Sequence, residues 1–277
     1  MKELTLSEIQ SESLKILKDV HSFCKENGIM YSVAYGTLIG AIRHKGFIPW
    51  DDDVDIIMPR PDYDRFCRTY KSNNYKIKSP EVDVDCMLAF ARVYDDKETI
   101  IDSIIPWSKD KIGVWIDVFP LDSVPDNNSF VDEKEYKNAI KNWKQSITAR
   151  TALGHFRKEK SLLFNVKLAL KKIIFRNGNK AKYYVDSIVN CQHLHTYKST
   201  NHWSQLGCLD ALEWHRIEDF ESILLMPFED TEVMVMNGYN NVLRECFGDY
   251  MQLPPTEQRV GHSDGLTKFY WKEDEKR

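Results

Sequence analysis

Asp51-Asp52-Asp53-Val54-Asp55-Ile56-Ile57-Met58 constrains this chain more than any other stretch. Four carboxylates fall within five positions and an apolar run follows at once. Val54, Ile56, Ile57 and Met58 therefore read as the start of a buried strand. Side chains alternate along a strand, which turns Asp53 and Asp55 to the same face. Two carboxylates fixed side by side repel each other, and a hard divalent cation between them, Mg2+ or Mn2+, removes the repulsion. A solvated acidic turn ahead of a strand explains the same residues, and the cluster alone does not choose. A calcium loop of the EF-hand type is excluded. Counted from Asp51, its sixth and twelfth positions require Gly and Glu, and here they are Ile56 and Asp62.

The 277 residues suffice for one large domain or two modest ones. A net charge of -4 argues against nucleic acid as a partner of the whole molecule. Met1 to Thr5 lacks the basic-then-apolar pattern of a signal peptide, and no apolar run is long enough to span a bilayer. The cysteines, Cys24, Cys67, Cys86, Cys191, Cys208 and Cys246, include no Cys-x-x-Cys pair. Free buried thiols in a reducing cytoplasm are the expectation. Cys191, His193 and His195 have a spacing that supports a metal site only weakly.

Thr5-Leu6-Ser7-Glu8 has the form of a capping box, and Ile9, Ile16, Leu17, Val20 and Cys24 recur at helical spacing until Asn27-Gly28. Ile29 to Tyr35 reads as a strand running into Gly36-Thr37. Glycine there lets the backbone approach a ligand, and the Thr37 hydroxyl with free N–H groups at a helix start can receive a phosphate. Arg43, His44 and Lys45 follow. Cations beside a metal-binding acid cluster suit a substrate with two phosphates, although a solvated helix end accounts equally for Arg43 and Lys45. Asp62 reads as the N-cap of a short helix through Tyr70. Ala89 to Tyr94 reads as a strand containing Arg92, and Gly113 to Phe119 as a strand ended by Pro120. A lone carboxylate in such a strand is costly unless paired or bound to a cation, so Asp117 joins Asp53 and Asp55 as the expected metal ligands. Backbone N–H groups at a strand end are the competing partners.

From Phe130 to about His195 the pattern is helical. Arg157 to Lys182 holds nine basic residues and one acidic residue; removing them from the chain's 38 basic and 42 acidic residues leaves 29 and 41. Leu162, Leu163, Val166, Leu170, Ile173 and Ile174 give this segment an apolar side. A helix packed on the core is the favoured reading, and a membrane-surface helix the sharper one. Gly238 to Phe247 reads as a helix, followed by Gly248-Asp249-Tyr250-Met251-Gln252-Leu253-Pro254-Pro255. Tyr250 and Met251 are expected to anchor that turn, leaving Arg259 and His262 to face the site; from Trp271 onward the charged tail is expected to fray.

Tyr35-Gly36-Thr37-Leu38-Ile39-Gly40-Ala41-Ile42-Arg43-His44, with Pro49-Trp50-Asp51-Asp52-Asp53-Val54-Asp55-Ile56, resembles the LicD family. Ile116-Asp117-Val118-Phe119-Pro120-Leu121-Asp122, Phe228-Glu229 and Phe247 to Pro255 extend the match in family order, with Phe247 where the family usually has Tyr. That family includes bacterial phosphocholine transferases and the animal fukutin-related proteins. The resemblance implies an α+β fold, a nucleotidyltransferase-like mixed twisted sheet with flanking helices and a helical insertion. It also implies transfer of a phospho-alcohol, such as phosphocholine or an alditol phosphate, from a CDP-linked donor. The acceptor would be a hydroxyl of a cell-surface glycan or its lipid-linked precursor, and CMP would leave.

Together these readings predict a catalytic core over 1–130, a helical region over 131–215 facing membrane or acceptor, and a C-terminal segment over 216–277 packing back on the core. Asp53 and Asp55 are expected to bring one or two Mg2+ ions to the diphosphate, and Asp117 to serve the acceptor side and take its proton. Asp51 is a further ligand or an orienting group. Gly36 and Thr37 seat the phosphates, and Arg43, His44 and Lys45 neutralise the leaving nucleotide. The setting is cytoplasmic, with any peripheral contact at the inner face of the membrane. A glycosyltransferase with an Asp-x-Asp metal site, a nucleotidyltransferase proper and a non-catalytic binding protein on the same fold are the rivals.

Overall fold

The computed structural model describes every residue except 158–159, 177, 210–211, 262–266 and 274–277. Thr5 opens the first helix: its hydroxyl accepts from the Glu8 N–H (3.3 Å), while the Glu8 carboxylate accepts from the Thr5 N–H (2.8 Å). This helix, α1 (Leu6–Asn27), stops at Gly28, whose φ of 60° is the left-handed conformation glycine adopts without penalty. Ile16, Leu17, Val20 and Cys24 on one face of α1 are completely buried.

Next come β1 (Ser32–Val33), α2 (Tyr35–Ile39) continued by a π-helical turn over Gly40–His44, β2 (Asp55–Pro59), α3 (Arg60–Thr69) and β3 (Tyr75–Lys78). Then follow β4 (Ala91–Asp95), β5 (Thr99–Ser103) and β6 (Trp115–Val124). Helices α4 (Lys134–Thr151), α5 (Leu162–Phe175) and α6 (Ala181–Gln192) precede β7 (His202–Ser204) and β8 (His215–Arg216). The chain ends with the hairpin β9 (Ile223–Phe228) and β10 (Thr231–Met236), then α7 (Tyr239–Phe247) and β11 (Thr267–Trp271).

The principal sheet has the order β1-β2-β6-β4-β3; β7 continues from the far end of β6 and β8 pairs β7. Only β2 and β6 run parallel within it. The mixed sheet and its helices make the protein α+β, as the sequence led us to expect. Ile56, Val93, Ile116 and Val118 are wholly buried in this sheet. The C-terminal strand β11 pairs β5, and the β10 segment lies against β1 through the Met236 N–H to Ser32 Oγ bond (2.9 Å).

Several boundaries differ from the sequence reading. Pro120 does not end its strand; β6 runs on to Val124. The Asp117 N–H points to β2, where it meets Val54 O (2.9 Å), so by alternation the position-120 nitrogen faces the opposite edge. There β4 has stopped at the Val118 pairing and β7 starts only at Asp122, so Pro120 lacks a donor where none is required. The strand expected over 29–35 contracts to two residues because Tyr35 turns into α2 with a φ of 49°. Helix α3 starts at Arg60, with Asp62 in its first turn instead of at the cap. Order persists past Trp271, since its N–H donates to Lys2 O and that of Lys272 to Glu98 O.

The largest correction concerns α5. Its apolar side is not packed on the core: Leu162 is 81% exposed, Leu163 62% and Ile173 74%, with Val166, Leu170 and Ile174 also exposed. Only Leu168 and Phe175 of this helix are buried. Among the described residues, no helix is long and apolar enough to cross a membrane.

Candidate active site

The parallel register of β2 and β6 pairs Asp55 directly with Asp117, and the antiparallel register of β6 and β4 pairs Asp117 with Arg92. Paired residues share a face, so Asp55, Asp117 and Arg92 form one row across three strands. Both Asp117 oxygens accept from Arg92, Oδ1 from Nε (2.5 Å) and Oδ2 from Nη2 (3.1 Å). The guanidinium lies over the rings of Trp115 (4.4 Å), Trp107 (4.8 Å) and Phe90 (5.5 Å), which hold it flat toward Asp117. The observed partner of Asp117 is therefore a guanidinium and not a backbone amide.

Asp51 and Asp53 enter from the segment ahead of β2. Asp51 is buried, with its carboxyl beside that of Asp53. Burial pushes the Asp51 carboxyl up to about 6. Asp55 is pushed well above the carboxylate range by burial, then by the charges of Asp53, Asp117 and Asp51, with Arg92 offsetting part of it. Crowded carboxylates that resist ionising are an oxygen donor set suited to a hard divalent cation, so the residues fit Mg2+. Asp53, Asp55 and Asp117 do not, as a set of three, bring oxygens within 4.8 Å of one another. To ligate an ion, Asp117 would have to share an oxygen with Arg92.

Gly36 and Thr37 serve this cluster. A Cβ at Gly36 would lie 2.5 Å from Asp51 Oδ2, so glycine is required for the carboxylate to seat there. The buried Thr37 hydroxyl accepts from the Asp55 N–H (3.0 Å), fixing the start of β2. The side chain expected to receive phosphate thus spends one lone pair on the strand.

The expected cations divide. Arg43 Nη1 donates to Tyr250 O (2.6 Å) and Gln252 O (3.2 Å), which ties the Gly-Asp-Tyr-Met segment to the π-helical turn. Arg259 Nε donates to Pro254 O (2.9 Å), and its guanidinium lies 5.3 Å from the centre of the Trp50 ring. Burial and then the charge of Arg259 depress the Arg43 pKa, so the two guanidinium groups share one region. His44 meets the Trp50 ring edge-on, and burial and Arg43 depress its pKa. Lys45 is exposed with a φ of 59°. Tyr250 anchors its turn as expected, but Met251 is 53% exposed. His262 lies outside the described residues.

The remaining motif residues have structural explanations. Glu229 accepts from the Phe47 N–H (2.9 Å) and its own N–H donates to Lys45 O (2.8 Å), which locks the Lys45–Phe47 turn. Asp122 takes Arg60 in a buried two-point ion pair (2.6 and 2.8 Å). Among the described residues, Cys191, His193 and His195 do not converge as a metal site, and no disulfide joins the cysteines.

Beside the acid row lies a cavity of about 180 Å³ lined by Ser13, Asp52, Asp53, Arg92, Trp115, Asp117 and Phe269, among others. Trp115 and Phe269 pack tilted, 5.3 Å between ring centres. Ser13 Oγ is buried there without a hydrogen-bond partner in the protein. Sequence reasoning missed this cavity because its walls come from α1, β4, β6 and β11. Arg92 was findable: it and Asp117 are the single charges of the apolar stretches Ala89 to Tyr94 and Gly113 to Phe119, and such charges pair.

Comparison with known proteins follows this geometry. The family model for the LicD/FKTN/FKRP nucleotidyltransferase domain matches residues 28–150. The lipopolysaccharide cholinephosphotransferase LicD of Haemophilus influenzae is 31% identical over 269 residues, covering 95% of this chain and 97% of that protein. An uncharacterized protein of Rickettsia typhi is 37% identical over 90 residues, 31% of this chain and 29% of its own length. A second, from Rickettsia prowazekii, is 50% identical over 42 residues, 15% of this chain and 16% of its own.

Proposed function

The chain belongs to the LicD family of transferases, and from that premise we propose that it moves phosphocholine from CDP-choline to a hydroxyl of a cell-surface glycan or its lipid-linked precursor, releasing CMP. The observation that carries the reading is the row Asp55–Asp117–Arg92, with Asp53 and Asp51 beside it and an aromatic cavity opening on it. The near full-length similarity to a lipopolysaccharide cholinephosphotransferase supports the alcohol and the acceptor class.

Asp53 and Asp55 would hold Mg2+, which when bound supplies charge neutralisation at the diphosphate. Arg43 and Arg259 gather positive charge at Trp50, where the leaving nucleotide phosphate can be received. Phe269, with Asp52 and Asp53 nearby and Arg92 already over the Trp115 ring, offers a π-face and negative charge to a trimethylammonium group. Asp117, held by Arg92, faces the acceptor hydroxyl and orients it for in-line attack on the phosphorus. The oxygen–phosphorus bond to the acceptor forms as the bond to the CMP oxygen breaks, and the hydroxyl proton passes to the carboxylate side of the row.

The exposed apolar stripe of α5, flanked by Lys167, Lys171, Lys172 and Arg176, supports a peripheral contact with an anionic membrane carrying the acceptor. The deciding assay incubates the enzyme and Mg2+ with a panel of CDP-alcohols and acceptor glycan. CMP with labelled glycan is the expected product; CDP would mark sugar transfer, and pyrophosphate a nucleotidyltransferase.

A further inference from the structure

A second cluster lies outside the acid row. Glu213 lies on the approach to β8, His215 two residues on opens that strand, and Cys246 lies in the last turn of α7. His215 is buried, and its Nδ1 is 2.6 Å from Glu245 Oε2. Its Nε2 lies 3.5 Å from Cys246 Sγ and 3.5 Å from Glu213 Oε2. All three potential ligand atoms fall within 4.8 Å of one another, the one such set among the described residues.

We propose that Glu213, His215 and Cys246 form a zinc site, with Glu245 as the positioning residue that orients the imidazole. The first argument is geometric. A tetrahedral Zn2+ with nitrogen at about 2.1 Å, sulfur at about 2.3 Å and oxygen at about 2.0 Å sets a nitrogen–sulfur edge of about 3.6 Å and a nitrogen–oxygen edge of about 3.4 Å. The two observed separations of 3.5 Å already match those edges.

The second argument is charge. Two carboxylates and a thiol converge on a single imidazole; among the described residues neither carboxylate forms a close ion pair with lysine or arginine, Arg216 acting on Glu245 only through its longer-range charge. A cation at Nε2 would answer all of them. The third is the carboxylate–histidine arrangement, in which Glu245 holds Nδ1 and leaves Nε2 aimed at the centre of the cluster. Cys246 and Glu213 are only partly buried, so an ion has a way in. Binding would release the thiol proton to solvent, and water would complete the fourth position.

The site has a structural consequence. Tyr35 Oη reaches Glu213 Oε2 at 3.5 Å, and Tyr35 leads directly into Gly36, against which Asp51 is seated. Tyr35 also carries the strained φ of 49° that a bulky residue holds only when its surroundings impose it. A zinc ion here would brace the end of α7 and the approach to β8 against that turn.

The test is metal binding, which reads independently of phosphocholine transfer. The full chain is stripped, then titrated with Zn2+ against a chromophoric chelator in excess Mg2+, and separately with Co2+. One equivalent of Zn2+, a thiolate-to-cobalt charge-transfer band in the near ultraviolet and a raised melting temperature are expected. Cys246→Ser should abolish the band and weaken Zn2+ at least ~100-fold, Glu245→Gln about 10-fold. Asp53→Asn should leave both readings unchanged. Less than one equivalent on the wild-type chain overturns the proposal, whatever the variants do. So does an unchanged band in Cys246→Ser, which would assign the thiolate elsewhere.

Discussion

Asp55 and Asp117 stand side by side across the parallel β2–β6 pairing, and Arg92 completes their row from the next strand. One cation therefore serves two carboxylates, and Asp51 and Asp53 add further negative charge. A substrate-bound Mg2+ would add positive charge beside this crowded row, and the proposed function gives the aspartates separate roles.

Asp53→Asn or Asp55→Asn should weaken Mg2+ and CDP-donor binding together, because in the proposed function these residues hold the metal at the diphosphate. Asp117→Asn should leave donor binding nearly intact while turnover falls ~100-fold or more, the scale lost with one preorganised charge-stabilising group. Calorimetric titration of donor with Mg2+, alongside CMP release, measures both. Wild-type turnover in Asp117→Asn would make Asp117 a structural partner of Arg92 alone.

Arg92→Met keeps a long side chain among Phe90, Trp107 and Trp115 but strands Asp117. Breaking a largely buried pair from one side should cost about 3 kcal/mol in denaturant unfolding. The double variant Arg92→Met with Asp117→Asn should recover part of that loss. Additive losses in the two single variants would show that the pair is not coupled.

Gly36→Ala tests the seat of Asp51. Gly36 does not have a positive φ, so alanine strains no backbone, yet its Cβ would lie 2.5 Å from Asp51 Oδ2. The variant should fold with a near-normal melting temperature and need several-fold more Mg2+ for half-maximal activity. An unshifted Mg2+ requirement would remove Asp51 from the site.

His21 supplies a pH prediction away from the site. It is buried against Tyr31 Oη (2.8 Å), and burial lowers its pKa below the ordinary 6.5, Lys25 adding to the effect. The unfolded chain thus binds a proton that the native state refuses, so stability falls as pH drops below about 6.5 toward the native pKa. Denaturant midpoints between pH 5 and 8, on the order of the physiological range for histidine, should show this slope in the wild type and a weaker one in His21→Gln.

Leu163→Glu with Ile173→Glu probes α5. Both side chains are exposed, so the melting temperature should hold, whereas sedimentation with anionic vesicles should be lost. Each basic residue near such a surface contributes about 1 kcal/mol. Equal pelleting of the wild-type chain with neutral and anionic lipid at low salt would remove the membrane contact.

Local order dictated what the sequence by itself determined. The Thr5–Glu8 box and Gly28 bound α1, the apolar run after the aspartates makes β2, and the run around Asp117 makes β6, since each depends on residues within a few positions. The cost of a lone carboxylate in an apolar strand put Asp117 with Asp53 and Asp55 in prospect. Only the tertiary structure decided their partners. Strand register is a long-range choice, and it alone sets Asp117 opposite Arg92 and leaves Pro120 at an unpaired edge. Whether an apolar helical stripe is covered depends equally on what packs against it, so α5 reads in sequence as a core helix while its apolar side faces outward. The Glu213–His215–Cys246 cluster was invisible for the same reason: no spacing along the chain announces three ligands that converge only when α7 folds back beside β8.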